Sequence, residues 1–388
     1  MEDCMKSKEA FKNILVINLM HIGDLMIVTP ILRTLRHAYP GARLSLLADK
    51  KLADLVSCNP HIDECLFIDK KGADDKLPAF IKYIGYVRSK KFDLVINLHR
   101  NERASALAAF SGAKRIVGYS KPGFSWFFDK VGDNNHWTQH QVLAHFEALM
   151  ATDVIEKSDI DDAGLEMVLP PGAEDGASAI WQQVYPAADK LKKVVAFNIG
   201  ASWPTKRWLP DYFAQVADTL IEEGCHIAFF GGPMDTEMVD ECVSFMKHRE
   251  AEKDENGNPL VARFTGRVSL GELASLLKRC ALMITTDSGP MHVGVAMHVP
   301  IVTMFGASPV PGFYPYDGKD ILIKTPAPCH PCGIHNCPKK GEENFMCMKR
   351  IPPETVLSAA REQLEKYSSM VGNAPYPKGQ YTCRVIEL

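Results

Sequence analysis

Residues 284–306 read I-T-T-D-S-G-P-M-H-V-G-V-A-M-H-V-P-I-V-T-M-F-G, and one turn among them gathers Thr286, Asp287, Ser288, Gly289 and His292. The flanks are apolar. A strand leads in, an alanine- and valine-rich helix too apolar for a surface position follows, and a second strand closes the unit. The polar atoms therefore fall at the helix N-terminus, where free N–H groups favour an anion and an apolar crevice at strand ends suits a nucleotide. Simple capping of the helix by Asp287 or Ser288 would also account for the turn taken alone.

In open α/β sheets ligands lie beyond the carboxyl ends of the strands. The same reading places Gly23 and Asp24, residues 97–100, Gly200 to Lys206 with Ser202 between them, Gly231 and Gly232, and Thr265 and Gly266 at such ends. A nucleotide diphosphate there needs cationic or N–H partners, and Lys206 with the Ser288 turn offers both. Gly200 and Ser202 resemble a turn that lets backbone approach a phosphate, whereas Lys206 and Arg207 would otherwise be an exposed loop pair. No G-x-G-x-x-G follows the first strand and no G-x-x-x-x-G-K-[ST] occurs, against dinucleotide oxidoreductases and P-loop enzymes.

The elements that must position these groups alternate. Strands are expected at residues 13–18, 43–47, 64–68, 92–97 and 115–118, then again at 194–198, 226–230 and just before Phe264-Thr265-Gly266. Helices fall between them, among them 77–89, 103–110, 140–150, 210–223, 235–247 and 270–279, the last capped by Ser269. The helix running to Tyr39 carries Pro30 and should kink there. This βαβ rhythm predicts parallel sheets with helices on both faces. Pro170-Pro171-Gly172 marks a linker, giving a first domain at 1–171, a second at 172–352 and a C-terminal helix and tail at 353–388. The aromatic stretch at 119–138, with Phe124, Trp126, Phe127, Phe128 and Trp137, could line an acceptor wall or pack on its own domain.

At 388 residues with 46% hydrophobic composition, the chain exceeds what one core usually serves, consistent with two domains. A net charge of −3 provides no global field for nucleic acid. The polar N-terminal residues and the lack of a long apolar run predict a cytoplasmic protein without signal peptide or membrane span. Four of its 11 cysteines, Cys329, Cys332, Cys337 and Cys347, form C-x2-C-x4-C-x9-C. Such spacing suits a tetrathiolate site for structural zinc or a single iron better than an iron–sulfur cluster, four unrelated buried thiols being the alternative.

Together, I-G-D at residues 22–24, K-R-W at 206–208, F-F-G-G at 229–232 and T-D-S-G-P-M-H at 286–292 resemble the ADP-heptose glycosyltransferases of lipopolysaccharide core synthesis, inverting enzymes of glycosyltransferase family 9. The resemblance spans residues 13–355. It implies the α/β GT-B fold, two Rossmann-like domains facing across a cleft, the N-terminal one binding acceptor and the C-terminal one the nucleotide sugar, with the last helix packing back on the first domain. Asp24 falls on the family's general base, Lys206 on its diphosphate-binding lysine, and Asp287, Ser288, Gly289 and His292 on its donor loop. No catalytic metal is implied. Asp24 also sits at a helix start, where the dipole should lower its pKa and weaken it as a base.

Candidate acceptor contacts are His21, His99, Arg100 and Arg103; Arg115 and Lys121 extend a basic set suited to an acidic or phosphorylated acceptor, or simply to solvent. Leu19-Met20-His21 departs from the small polar or basic residues common at this turn in the lipopolysaccharide enzymes. Similar cysteine clusters belong to protein-directed heptosyltransferases of the same superfamily, where an iron-bearing finger follows the donor domain. Protein O-heptosyl transfer is therefore the nearest rival reading and a non-catalytic nucleotide-sugar-binding protein the next; an epimerase is disfavoured because the cleft motifs lack further carboxylates. The acceptor is expected to be a glycan, glycolipid or protein, with peripheral contact at the inner membrane. Oligomeric state is not indicated.

Overall fold

The computed structural model describes residues 11–371 and 379–388, so the polar lead at 1–10 and part of the expected tail fall outside the described residues. The chain divides into two compact units. One comprises Met1–Met20, Val28–Asn135 and Val142–Asp162, the other His21–Ile27, His136–Gln141 and Ala163–Leu388.

The first unit contains strands β1 (Asn13–Ile17), β2 (Arg43–Asp49), β3 (Glu64–Ile68), β4 (Leu94–Asn97), β5 (Arg115–Gly118) and β6 (Lys130–Val131). They stand in the order β3-β2-β1-β4-β5-β6, every pair parallel. Central strands such as β4 are buried along their whole length, as apolar runs must be when helices cover both faces of a sheet.

The second unit repeats the plan with β7 (Val194–Asn198), β8 (His226–Phe230), β9 (Val261–Arg263), β10 (Leu282–Thr286), β11 (Ile301–Phe305), β12 (Ile321–Lys324) and β13 (Arg384–Glu387). Their order is β13-β12-β11-β10-β7-β8-β9, again all parallel. From β7 the chain steps outward to β8, and from β10 it steps the opposite way to β11. The sheet order thus reverses between β7 and β10, the position where doubly wound sheets open a crevice.

Three expectations change. The helix carrying Pro30 is two helices, Ile22–Ile27 and Thr29–Ala38, broken at Val28. Proline has no N–H for the bond to the preceding turn, and its ring crowds the carbonyl four residues back. The break is also where the chain passes from the second unit to the first. Next, the division at 171 shifts: residues from Ala163 belong to the second unit, and Pro170-Pro171-Gly172 leads directly into a helix, Ala173–Val184, that the sequence reading did not anticipate. Finally, the C-terminal segment belongs to the second unit. The helix Pro353–Tyr367 buries Val356, Leu357, Ala360 and Leu364 in a core shared with Phe197, Phe213 and Leu220, and β13 becomes the edge of the second sheet. Its apolar stripe at helical spacing needs a flat partner, and the helix Pro210–Glu222 presents one. Among the described residues no helix is long and apolar enough to cross a membrane.

Candidate active site

Asn198 and Thr285 are register partners at the carboxyl ends of β7 and β10. From that position Asn198 Nδ2 donates to Ser288 Oγ at 2.9 Å and to the Gly200 carbonyl at 3.3 Å, while Thr286 Oγ1 donates to the same carbonyl at 3.0 Å. The two loops flanking the switch point are therefore laced together by short side chains. Thr286 spends its hydroxyl on this lacing. Ser288 occupies the N-cap position of the helix Gly289–Ala296 but makes no side-chain cap bond. The capping expectation fails for a local reason, since Asn198 holds the hydroxyl away from the helix amides. The helix itself is buried from Met291 to Ala296, as its apolar sequence requires.

Asp287 does not cap either. Its carboxylate is buried, with 5% of its side chain exposed, and its Oδ2 lies 2.8 Å from Lys206 Nζ. The Ser308 hydroxyl donates to the same oxygen. Lys206 ends the short helical turn Pro204–Lys206, and its ammonium stands 5.0 Å from the centre of the Trp203 ring. With three donors and one given to Asp287, the ammonium keeps hydrogen-bonding capacity for a second anion. The sequence placed Lys206 and Asp287 in the same site; that they form an ion pair is a product of folding.

Asp24 belongs to this unit, not to the one that contains the rest of the N-terminal sequence. The helix Ile22–Ile27 lies against Gly289–Ala296 so closely that a Cβ on Gly23 would meet His292 Cδ2 at 2.7 Å, and one on Gly289 would meet Ile22 Cβ at 2.6 Å. Both glycines are there because two backbones touch. The Asp24 carboxylate accepts the His21 N–H at 3.3 Å. Burial raises its pKa above the ordinary carboxylate value, against the lowering pull of that N–H and of the His21 and Lys206 charges. Although part of Asp24 remains open to solvent, desolvation outweighs the helix-start effect that the sequence suggested would weaken it as a base. His292 is buried, its pKa pushed down to about 4 by desolvation, and its Nδ1 has no hydrogen-bond partner. It is a neutral ring beside Gly23.

Around these groups, Gly231 and Gly232 follow β8, and the Gly232 N–H donates to Asp235 Oδ2 at 2.8 Å. A Cβ on Gly200 would collide with that same carboxylate, 2.0 Å from Oδ1, so Gly200 makes room for Asp235. Gly266 N–H donates to the Gly231 carbonyl at 2.9 Å, and Thr265 makes only a long contact to the Phe229 carbonyl, 3.4 Å. Ser202 stands exposed on the Lys206 loop. Asn198, Asp235 and Ser308 went unrecognised in the sequence. Asp235 had a signal, an acid three residues after Gly232 at a turn; Ser308 had none.

The acceptor candidates separate. His21 is exposed in the second unit, whereas His99, Arg100 and Arg103 belong to the first. Arg100 is exposed. Arg103 is committed to local structure, donating to the Lys70 carbonyl at 2.8 Å and to the Asp75 carbonyl and carboxylate at 2.6 and 2.7 Å, with its guanidinium over Phe80. Its planar fork suits that loop clamp. Arg115 and Lys121 are likewise engaged, by the Thr152 carbonyl and by Glu102.

The cysteines at 329, 332, 337 and 347 line one small cavity of about 50 Å³ together with Thr205, Phe345 and Met346. The Phe345 N–H donates to Cys337 Sγ at 3.4 Å. Burial pushes the Cys347 thiol up to about 11, with the other three thiols adding to the rise. Among the described residues no group of three or more His, Cys, Asp or Glu side chains is placed to hold a metal ion, so the four thiols share a cavity and no more.

The family model for glycosyltransferase family 9 (heptosyltransferase) matches residues 81–342. Lipopolysaccharide heptosyltransferase 3 of Escherichia coli strain K12 is 25% identical over 293 residues, covering 74% of this chain and 80% of its own. A crystal structure of a glycosyl transferase family 9 protein from Veillonella parvula is 33% identical with a TM-score of 0.77, covering 92% of this chain and 98% of that one. The E. coli ADP-heptose lipopolysaccharide heptosyltransferase II matches with a TM-score of 0.69 at 22% identity, over 91% of this chain and 99% of its own. The two parallel-sheet units are those of the GT-B fold.

Proposed function

The chain belongs to glycosyltransferase family 9, and on that premise we propose that it transfers heptose from ADP-heptose to a lipopolysaccharide core or related glycan, with inversion at the anomeric carbon. The observation that carries this reading is the assembly of Asp24, the Gly289 helix start and the Lys206–Asp287 pair in a single unit, at the point where its sheet order reverses. The relatives named above, a lipopolysaccharide heptosyltransferase and an ADP-heptose enzyme, support the donor and acceptor classes.

Those positions suit the following chemistry. An acceptor hydroxyl oxygen bonds to the anomeric carbon as its proton passes to the Asp24 carboxylate. The bond from that carbon to the β-phosphate oxygen breaks, and ADP departs with the electron pair. Charge grows on the leaving diphosphate, where Lys206 and the N–H groups at the start of Gly289–Ala296 neutralise it. Asp287 and Ser308 keep the ammonium in place. A raised carboxylate pKa helps, because a base is most effective when its pKa approaches the working pH.

A thermal-shift panel of ADP-, UDP- and GDP-sugars tests the donor, since a ligand at a hundred times its Kd stabilises by about 2.7 kcal/mol. ADP-heptose should stabilise and release ADP on addition of a glycan acceptor. Stabilisation by UDP-sugars alone would overturn the donor assignment, and binding without turnover would leave a nucleotide-sugar-binding protein. Labelled heptose appearing on a protein instead of a glycan would move the acceptor to the protein class.

The four thiols are further proposed to hold a structural zinc or a single iron. Their shared cavity and the amide donated to Cys337 fit a thiolate-bound cation, which would cross-link the loop. Metal analysis of the purified protein should give about one equivalent per chain, four thiolates making one site. Less than about a tenth of that would remove the site.

A further inference from the structure

The cysteine loop, residues 329–347, contacts residues beside both partners of the Lys206–Asp287 ion pair: Trp203 and Thr205 next to the lysine, and Ala307 next to the Ser308 that bonds the aspartate. On the lysine side, Thr205 is buried, and its hydroxyl donates to the Ile334 carbonyl at 2.6 Å and reaches the His335 carbonyl at 3.3 Å. The neighbouring Trp203 ring lies against the His335 ring, centroids 4.5 Å apart, and it is over Trp203 that the Lys206 ammonium stands. The turn is closed by Lys206 N–H on the Trp203 carbonyl at 3.0 Å, so Trp203, Thr205 and Lys206 share one hydrogen-bonded turn. On the aspartate side, the Gly333 N–H donates to the Ala307 carbonyl at 2.8 Å, next to Ser308, whose hydroxyl holds Asp287. Thr205 also lines the cavity that the four cysteines share.

From this arrangement we infer that Thr205 is a positioning residue for the donor site, and that the packing of the cysteine loop sets the affinity for a nucleoside diphosphate by holding Lys206 through Thr205 and Trp203. The inference rests on the donor role proposed for Lys206. No other described contact explains why a hydroxyl is buried beside a cysteine cavity and aimed at two backbone carbonyls: a valine would fill the same volume, but only a hydroxyl at this position can hydrogen-bond the loop. The loop thereby acts on a reaction in which its own side chains take no part.

The test uses the full-length protein as purified and reads ADP binding by calorimetry together with donor KM and kcat. Thr205→Val should weaken ADP binding and raise donor KM by about tenfold, the usual scale for a lost buried hydroxyl bond, with kcat within about threefold. Thr205→Ser should recover most of the loss. His335→Ala removes an exposed ring without touching the Thr205 bonds and should give a smaller shift in the same direction, so the question survives if Thr205→Val fails to fold. Cys332→Ser should also weaken ADP binding, and its effect should not add to that of Thr205→Val, because both break one connection. Wild-type ADP affinity in both Thr205→Val and His335→Ala, or full additivity with Cys332→Ser, would overturn the inference. Unchanged ADP affinity in Lys206→Ala would instead show that the donor reading beneath it is wrong.

Discussion

Replacing Asp24 by Asn separates catalysis from stability. The amide is isosteric and keeps an oxygen for the His21 N–H, now 3.3 Å from the carboxylate. It also removes a charge that burial disfavours, as the raised pKa records. A carboxyl whose folded pKa lies above its unfolded value costs stability as pH rises past the unfolded value, so at neutral pH the Asn protein should melt no lower than wild type. ADP affinity should hold or improve, because an anion near Lys206 is gone. Turnover should nonetheless fall by about 10² to 10⁴, the usual contribution of a general base, which corresponds to about 2.7–5.4 kcal/mol in the barrier. The assay is ADP release from ADP-heptose in the presence of acceptor, beside a thermal melt and an ADP titration. In the wild type the rate should fall on acidification through a pKa above the ordinary aspartate value of about 3.9, since only the ionised base accepts the proton. An Asn protein within threefold of the wild-type rate would refute the base; a rate loss matched by an equal loss of ADP affinity would refute the separation between Asp24 and the donor side.

Other perturbations have definite outcomes. Gly289→Ala places a methyl 2.6 Å from Ile22 Cβ, and overpacking of this kind should cost about 1–3 kcal/mol, read as a lower urea midpoint with weakened ADP binding. Lys319→Met strands the buried Asp317 carboxylate that Lys319 pairs with, both side chains being at most 1% exposed; chemical denaturation should show a loss of about 3–5 kcal/mol. His292, depressed from its ordinary 6.5 to about 4, binds fewer protons folded than unfolded between those values. Its contribution is therefore complete above about pH 6.5 and lost as pH falls toward 4, about 3 kcal/mol in all, and His292→Gln should flatten that part of the stability-versus-pH curve.

Local signals were read well where their partners are close in sequence. The helix Leu77–Ser89 and the strand Arg115–Gly118 were expected at those residues, and Ser269 caps Leu270–Leu277 through a reciprocal bond with Glu272, three residues on. The helix Ala173–Val184 was missed because Gly176 and a polar first turn obscure its stripe. A Cβ at that glycine would meet the Glu272 carboxylate at 2.4 Å, the movable end of a flexible side chain. β13 was missed because R-V-I-E carries no apolar run; as an edge strand it owes its place to pairing with β12.

The sequence by itself determined the kinds of groups available and the strand ends that carry them: Asp24, Lys206, the Thr286 to His292 turn and the four cysteines. Parallel β/α order places loops at one edge of a sheet without any knowledge of contacts. Which of those loops meet was decided by the tertiary structure. Helix Ile22–Ile27 joins the second unit because Gly23 and Gly289 let two backbones touch, and Pro30 frees it from the helix that follows. Ser288 does not cap its own helix because Asn198, at the end of another strand, takes its hydroxyl, and Asp287 pairs with Lys206 while Ser308, beyond β11, fixes the carboxylate. Those choices depend on side chains brought together by register across β7, β10 and β11, and register is a property of the packed sheets.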